Sequence, residues 1–164
     1  MVRSQLVVFF ALFFTSVPLS AQSSSPERRD QYTIVAAAQD AAVRAVTFRQ
    51  GDAEGWKRGR PDFTQEGWTE FVKHMQGWLD EKGAPRFSSS FVPSGNAVVI
   101  GNENGVVHFR IPGTLTHKQN GSITAYRAAI EVYALRDLLI HGGEPIKIKH
   151  LEQITCAGAS TACQ

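Results

Sequence analysis

The stretch FTQEGWTEFVKHMQGWLDEKG, residues 63–83, decides the fold of this chain. Its large apolar side chains recur every three or four residues, which is the spacing of one face of an α-helix. These side chains are Trp68, Phe71, Val72, Met75, Trp78 and Leu79. Thr64 is suited to begin the helix as its N-cap, and Gly83 is suited to end it. We therefore predict an amphipathic helix over residues 64–82, whose aromatic stripe needs a broad apolar surface to cover it.

The sequence after Pro85 predicts the sheet that supplies this surface. Apolar residues alternate there, and Asn-Gly pairs at 104–105 and 120–121 favour two-residue hairpin turns. Gly142-Gly143 allows a third reversal of the chain. The predicted strands lie at 87–91, 97–100, 106–111, 123–135 and 146–151. We therefore predict an α+β fold in which N-terminal helices pack on one face of a curved antiparallel sheet.

The two Asn-Gly turns also predict which residues of neighbouring strands face each other. The expected pairs are Ile100 with Phe109, Val98 with Ile111, Ile111 with Ile130, and Phe109 with Val132. Both hairpins therefore place Phe109 and Ile111 on the same apolar face of the sheet. A bulge at Pro112-Gly113 would shift the second of these registers.

Length and composition fit one globular domain preceded by a targeting segment. The 164 residues are 43% hydrophobic and 20% charged, and the formal net charge of +2 gives no reason to expect nucleic-acid binding. We predict a polar linker at 22–29, a helix that begins near Asp30, and an irregular loop at 51–61. The folded domain is predicted to span residues 30–155, with a tail at 156–164.

Residues 1–21 have the pattern of a secretory signal peptide. Arg3 supplies a positive charge, residues 6–19 are mainly apolar, and Ser20 and Ala21 are small residues of the kind found at cleavage sites. The apolar run is shorter than the ~20 residues that a membrane-spanning helix needs. This favours a cleaved signal and a periplasmic or secreted protein, and an uncleaved N-terminal anchor is the alternative.

Both cysteines lie in the C-terminal tail, at Cys156 and Cys163. In an exported chain such a pair predicts a disulfide, and two idle thiols are the alternative. The bond would close only a short loop, so we expect it to add little to the stability of the domain. Two thiols with no histidine beside them do not predict a metal site.

Polar residues on the face opposite Phe109 and Ile111 form the candidate site. They are His108, Arg110, Arg127 and Glu131, and Lys147 and Lys149 are candidates to join them. The predicted register places Arg110 opposite Glu131, which is a favourable cross-strand ion pair. Two interpretations stay open: a solvated outer face held by salt bridges, which antiparallel sheets commonly have, or a surface that docks protein partners.

The sequence predicts no catalytic residue, metal ligand or cofactor site. It contains no nucleophile, zinc-protease or phosphate-binding motif, and its five histidines are scattered without helical pairing. Glu66 lies in the first turn of the predicted helix, where the helix dipole explains it. An enzyme would need an acid or base on the apolar face of the sheet, where Tyr126 is expected only as a core residue with a polar hydroxyl.

Three segments resemble the DotI/IcmL/TraM family of type IV secretion and conjugation proteins. They are Thr47-Phe48-Arg49-Gln50, the FTQEGW element at 63–68 with Phe71 after it, and the segment from Tyr126 to Arg136 within the longest predicted strand. The resemblance covers about residues 35–155. It implies the cone-shaped, nuclear-transport-factor-like fold of the family's periplasmic domains.

The resemblance also implies a function. It indicates a non-enzymatic assembly or interaction protein whose partners are secretion-system subunits or further copies of the same chain. Family members normally carry a membrane-spanning helix before this domain, whereas residues 1–21 here have the pattern of a cleavable signal. A cone-fold enzyme of the isomerase or dehydratase kind, or a small-ligand binder, is the alternative because related folds include such proteins.

Overall fold

The computed structural model describes residues 26–135 and 147–156. Two α-helices, α1 (Pro26–Val46) and α2 (Gln65–Met75), are accompanied by 3₁₀-helices at Gly55–Asp62 and Gln76–Trp78. The strands are β1 (Ser88–Pro93), β2 (Val98–Glu103), β3 (Val106–Gln119), β4 (Ser122–Leu135) and β5 (Ile148–Thr155). The helices pack against one antiparallel sheet, which confirms the predicted α+β fold.

The long strand β3 organises the sheet. Along one edge it pairs with β1 through residues 113–118 and with β2 through residues 106–110. Its other edge pairs along its whole length with β4, and β5 pairs with β4 beyond it. Within the described residues the sheet is therefore an antiparallel array whose two longest strands form the central hairpin.

The predicted register of the β3–β4 hairpin is confirmed. Asn120 and Gly121 both have positive φ, as a type I′ turn requires. Ile111 lies opposite Ile130, and Phe109 lies opposite Val132, without a shift in register between them. The extended strand accommodates Pro112-Gly113 without a bulge on the β4 side.

The predicted register of β2 against β3 is wrong by one residue. The pairing is interrupted at Ile100, so Val99 lies opposite Phe109 and Val98 lies opposite Arg110. A bulge inserts an extra residue into one strand and reverses the faces of the residues beyond it. Val98 therefore points away from Ile111, which the two-residue turn at 104–105 could not reveal.

The two faces of the sheet differ in character. We call the face that packs against the helices the inner face and the opposite one the outer face. Fully buried side chains of the inner face include Phe109, Ile111, Leu115, Ile130, Val132 and Ile148. Alanines on one side of α1, together with the aromatic stripe of α2, complete the core against these side chains.

Helix α2 begins where the sequence predicts and ends earlier. The Thr64 hydroxyl accepts a hydrogen bond from the backbone N–H of Gly67 at 3.0 Å, which confirms the N-cap. The α-helix stops at Met75, and Gln76–Trp78 continue as a 3₁₀-helix. The predicted burial of Trp78 is wrong, because this side chain is 39% exposed. A 3₁₀-helix turns 120° per residue, so the apolar stripe loses its phase after Met75.

The segment predicted as an irregular loop contributes to the core. Residues Gly55–Asp62 form a 3₁₀-helix, and Trp56 is only 4% exposed. Its ring stacks on Trp68 with centroids 5.7 Å apart, and its Nε1 atom donates to the carbonyl of Gly83 at 3.2 Å. Trp56 is therefore a core residue that the sequence did not predict, whereas Trp78 is exposed.

Helix α1 begins at Pro26, so the predicted linker at 22–29 overlaps the start of this helix. The predicted signal peptide at 1–21, the turn at Gly142-Gly143 and Cys163 lie outside the described residues. Signal cleavage and the disulfide between Cys156 and Cys163 therefore stay predictions.

Candidate functional site

A buried carboxylate organises the outer face. Glu131 on β4 is 4% exposed, and Arg110 lies directly opposite it on β3. The Nε and one Nη atom of Arg110 donate to Oε1 of Glu131 at 2.8 and 2.6 Å. The Nε2 atom of His108 lies 2.7 Å from Oε2, and because a carboxylate only accepts, the histidine is the donor. The predicted pairing of Arg110 with Glu131 is therefore confirmed, as a bond between a partly exposed arginine and a buried carboxylate.

The charge of Glu131 follows from these contacts. Burial alone raises the pKa of this carboxyl group, but the hydrogen bonds from Arg110 and His108 favour the charged form and lower its pKa below the ordinary value. Glu131 is therefore ionised at neutral pH. A buried charge is stable only while its donors are present, so these side chains form one interdependent group.

The sequence did not predict that Tyr133 and His150 extend this group. The ring of Tyr133 stacks on His108 with centroids 3.9 Å apart, and its hydroxyl donates to Glu131 at 3.3 Å. Burial, followed by the negative charge of Glu131, raises the pKa of Tyr133. On its other side Tyr133 meets His150, whose Nδ1 atom lies 3.0 Å from Oε2 of Glu70.

Strand alternation could have indicated Tyr133, which lies two residues after Glu131 and so shares its face. The sequence could not indicate that His150 lies beside Tyr133, because the pairing of β5 with β4 depends on the connection between these strands.

Arg127 and the two lysines do not join the Glu131 group. Arg127 is exposed and lies opposite Thr114, four positions along β4 from Glu131, which is about 13 Å. The amino group of Lys147 donates to the carbonyl of Pro61 at 2.7 Å, and Lys149 is exposed where the β4–β5 register shifts. Of the predicted face, the structure therefore brings together His108, Arg110 and Glu131.

The inner face carries a second polar group at the end of the sheet near the β3–β4 turn. The Tyr126 hydroxyl lies 3.3 Å from both ring nitrogens of His117 and accepts from the side-chain amide of Gln153 at 3.3 Å. The rings of Phe87 and Trp78 pack against His117. Burial lowers the pKa of His117 and raises that of Tyr126, which favours the neutral form of both. The inner face is thus less purely apolar than predicted.

Thr64 and Gly67 of the FTQEGW element hold helix α2 against strand β5. Phe63 pairs with Ile148, and the backbone N–H of Thr64 donates to the carbonyl of Ile148 at 2.9 Å. A Cβ atom built on Gly67 would lie 2.5 Å from that carbonyl oxygen. Glu66 is exposed in the first turn of α2. The element therefore docks α2 onto β5.

No group of three or more His, Cys, Asp or Glu side chains within residues 26–135 and 147–156 is placed to hold a metal ion. In the same ranges, none of the helices combines the length and apolar character needed to cross a membrane.

No protein-family model and no curated protein matches this chain. Several solved structures do resemble this chain. An IcmL-like type IV secretion system protein from Legionella pneumophila has a TM-score of 0.62 at 14% identity, and the match covers 80% of this chain and 96% of that one. The periplasmic domain of DotI has a TM-score of 0.58 at 16% identity, covering 74% of this chain and 93% of that one. The fold is that of the DotI and IcmL-like domains.

This DotI/IcmL fold extends to a third structure. CagV, a VirB8 homologue from the type IV secretion system of Helicobacter pylori, has a TM-score of 0.56 at 10% identity, covering 77% of this chain and 99% of that one. At such identities the likeness concerns the fold. The resemblance to the DotI/IcmL family that the FTQEGW element suggested is confirmed at that level.

Proposed function

We propose that this protein is an exported, non-enzymatic assembly protein that binds other protein subunits, as a scaffold component of a type IV secretion or conjugation system. The fold shared with DotI, an IcmL-like protein and CagV supports a role of this kind. These are structural neighbours named as secretion-system proteins or homologues of them, and their roles come to this chain by analogy of fold.

The observation that carries the proposal is the arrangement of Arg110 on the outer face. Glu131 fixes two donors of its guanidinium group, and the second Nη atom, which has no acceptor among residues 26–135 and 147–156, can bind a carboxylate of a partner. An arginine that is already oriented loses little conformational freedom on binding. Exposed Arg127, further along the same face, provides a second positive charge for the same partner.

Because Glu131 is buried, Arg110 is a poor position at which to test the docking surface by mutation. Reversing the charge of Arg110 would place a second carboxylate against a buried one, so such a variant would lose stability as well as binding. Arg127→Glu is the better probe because this side chain is exposed. Lys73→Glu, an exposed charge reversal on α2, is the matched control.

The experiment places a photo-reactive amino acid at exposed Thr114, opposite Arg127, and irradiates intact cells that express the protein. We expect a discrete cross-linked protein product that Arg127→Glu abolishes and Lys73→Glu leaves in place. An undiminished product with Arg127→Glu would contradict the docking surface. Turnover of a small carbonyl or hydroxy substrate by the purified protein would contradict the non-enzymatic role.

The second candidate, a small-ligand binder or enzyme of the same fold, has one specific observation in its favour. His117 and Tyr126 lie together on the inner face, in their neutral forms and beside the partly exposed Trp78. Under this alternative, Tyr126→Phe would abolish ligand binding or turnover and leave the Thr114 cross-link unchanged. Under the favoured function, Tyr126→Phe has no effect on partner capture.

A further inference from the structure

A groove separate from the Glu131 group lies where the chain after α1 runs alongside β1. It has a volume of about 940 Å³, at the upper end of the range for ligand pockets. Its charged and hydroxyl-bearing walls include Arg49, Arg58, Lys118, Ser88, Ser90 and Thr116. Lys118 lies eight positions along β3 from Arg110, which is about 27 Å. By strand alternation Thr116 and Lys118 lie on the same outer face as Arg110, so the groove occupies a region of that face at the opposite end of β3 from the Glu131 group.

The groove carries an excess of positive charge. Arg49 and Lys118 form no ion pair with any carboxylate of the described residues. Arg58 lies 3.7 Å from Oδ2 of Asp52, whose other oxygen is occupied by the backbone N–H of Gly55 at 2.8 Å. Asp52 is the one carboxylate among the lining residues, so the groove has an electrostatic preference for anions.

The wall that carries Arg49 is held in place before any ligand binds. Phe48 and Ser89 exchange two backbone hydrogen bonds of 2.9 Å, which fasten this segment to β1. The backbone N–H of Gln50 donates to the hydroxyl of Ser88 at 2.9 Å. A preformed site avoids the entropic cost of ordering its walls when it binds.

The spacing of the cations indicates what kind of anion fits. Arg49 follows Phe48, which bridges Ser89 of β1, and Lys118 pairs with Ser88 of β1, so β1 separates the two charges in a groove far larger than one phosphate ion. The hydroxyl groups of Ser90 and Thr116 can both donate and accept hydrogen bonds, as the peptide backbone requires. Among the lining residues, Ile123 is the one large exposed apolar side chain. A single such side chain contributes little to insertion into a lipid surface.

We infer that this groove binds an acidic segment of a partner protein, with carboxylates held by Arg49 and Lys118 and with backbone groups held by the hydroxyls between them. The inference goes beyond the proposed assembly function, because it assigns a second region of the outer face and the charge of its ligand. It also stands if the outer-face proposal fails, since it uses neither Arg110 nor Arg127.

The test measures binding of a fluorescein-labelled octaglutamate peptide to the purified full chain by fluorescence anisotropy at low ionic strength. Octaglutamine of the same length is the uncharged control probe. The groove variant is Arg49→Gln with Lys118→Gln, and the matched control is Lys73→Gln with Lys82→Gln, which removes the same charge from exposed positions elsewhere. Circular dichroism establishes that both variants are folded.

We expect the groove variant to bind octaglutamate roughly tenfold more weakly than wild type, and the control variant to bind within about twofold. Arg127→Glu, which disrupts the proposed outer-face docking, should leave this binding within the same twofold. Equal binding by the groove and control variants would overturn the inference, because it would show only a general attraction to positive charge.

Two further outcomes would also overturn the assignment to a peptide. Inorganic phosphate that displaces octaglutamate at equal concentration would indicate a site for a free anion. Phosphatidylglycerol vesicles that bind in an Arg49- and Lys118-dependent way, while octaglutamate does not, would indicate a membrane surface.

Discussion

Gly67 of α2 and Ile148 of β5 approach so closely that a side chain on Gly67 would collide with the carbonyl oxygen of Ile148, 2.5 Å from its Cβ atom. That carbonyl also accepts the backbone N–H of Thr64 at 2.9 Å. The glycine of the FTQEGW element is therefore a packing requirement at the junction of helix and sheet.

Gly67→Ala should lower the free energy of unfolding by about 1–3 kcal/mol, because the backbone of β5 cannot move aside without breaking its pairing. Gly77→Ala is the matched control, since a Cβ atom there would meet nothing within 4 Å. We expect the control to change stability by less than about 1 kcal/mol. Urea denaturation followed by circular dichroism measures both, and equal midpoints would contradict the close approach.

Trp56→Ala should destabilise the protein more than Trp78→Ala. Trp56 is 4% exposed and stacks on Trp68, so its removal leaves a large cavity that costs about 3–5 kcal/mol. Trp78 is 39% exposed and contacts Phe87 and His117 at the rim, so its removal should cost less than about 2 kcal/mol. Denaturant midpoints of the two variants measure this difference. A larger loss of stability in Trp78→Ala than in Trp56→Ala would show that Trp78 is the core residue.

Glu131→Gln should destabilise the protein at neutral pH by roughly 3 kcal/mol, because Arg110 and His108 lose the buried charge that they face. Folding lowers the pKa of Glu131 from its ordinary value of 4.5. The carboxylate therefore stabilises the fold above about pH 4.5, and this contribution is lost as the pH falls through the lower native pKa.

The measurement is the free energy of unfolding of wild type and Glu131→Gln from pH 7 down to about pH 3. We expect the difference between them to shrink as the pH falls. Glu103→Gln, a substitution of an exposed carboxylate on β2, is the control and should stay within about 0.5 kcal/mol of wild type. A difference that is constant with pH would refute the role of an ionised Glu131.

Intact-mass spectrometry of the protein from cell fractions tests export and the cysteines together. We expect a soluble periplasmic protein that begins near Gln22 and that gains two hydrogens on reduction of a bond between Cys156 and Cys163. Reduction should change stability only slightly, because the bond closes a short loop. A membrane-bound species that retains residues 1–21 would contradict cleavage, and an unchanged mass on reduction would contradict the disulfide.

The sequence by itself determined the features that depend on local chemistry. The helix N-cap at Thr64 and the two Asn-Gly turns depend only on residues close by in the chain. The sequence alone could therefore predict both the N-cap and the positions of the turns. Because the turn at 120–121 fixes the β3–β4 register, it also fixed the pairing of Arg110 with Glu131. That ion pair is the part of the candidate site that the sequence predicted correctly.

Only the tertiary structure decided which aromatic residue is buried and which side chains complete the site. Trp56 is covered because a 3₁₀-helix places it against Trp68, and this contact depends on residues distant in the chain. The bulge at Ile100 and the placement of His150 beside Tyr133 likewise depend on how separate strands meet. Periodicity reports what a segment prefers, whereas burial is set by the neighbours that the whole fold brings to it.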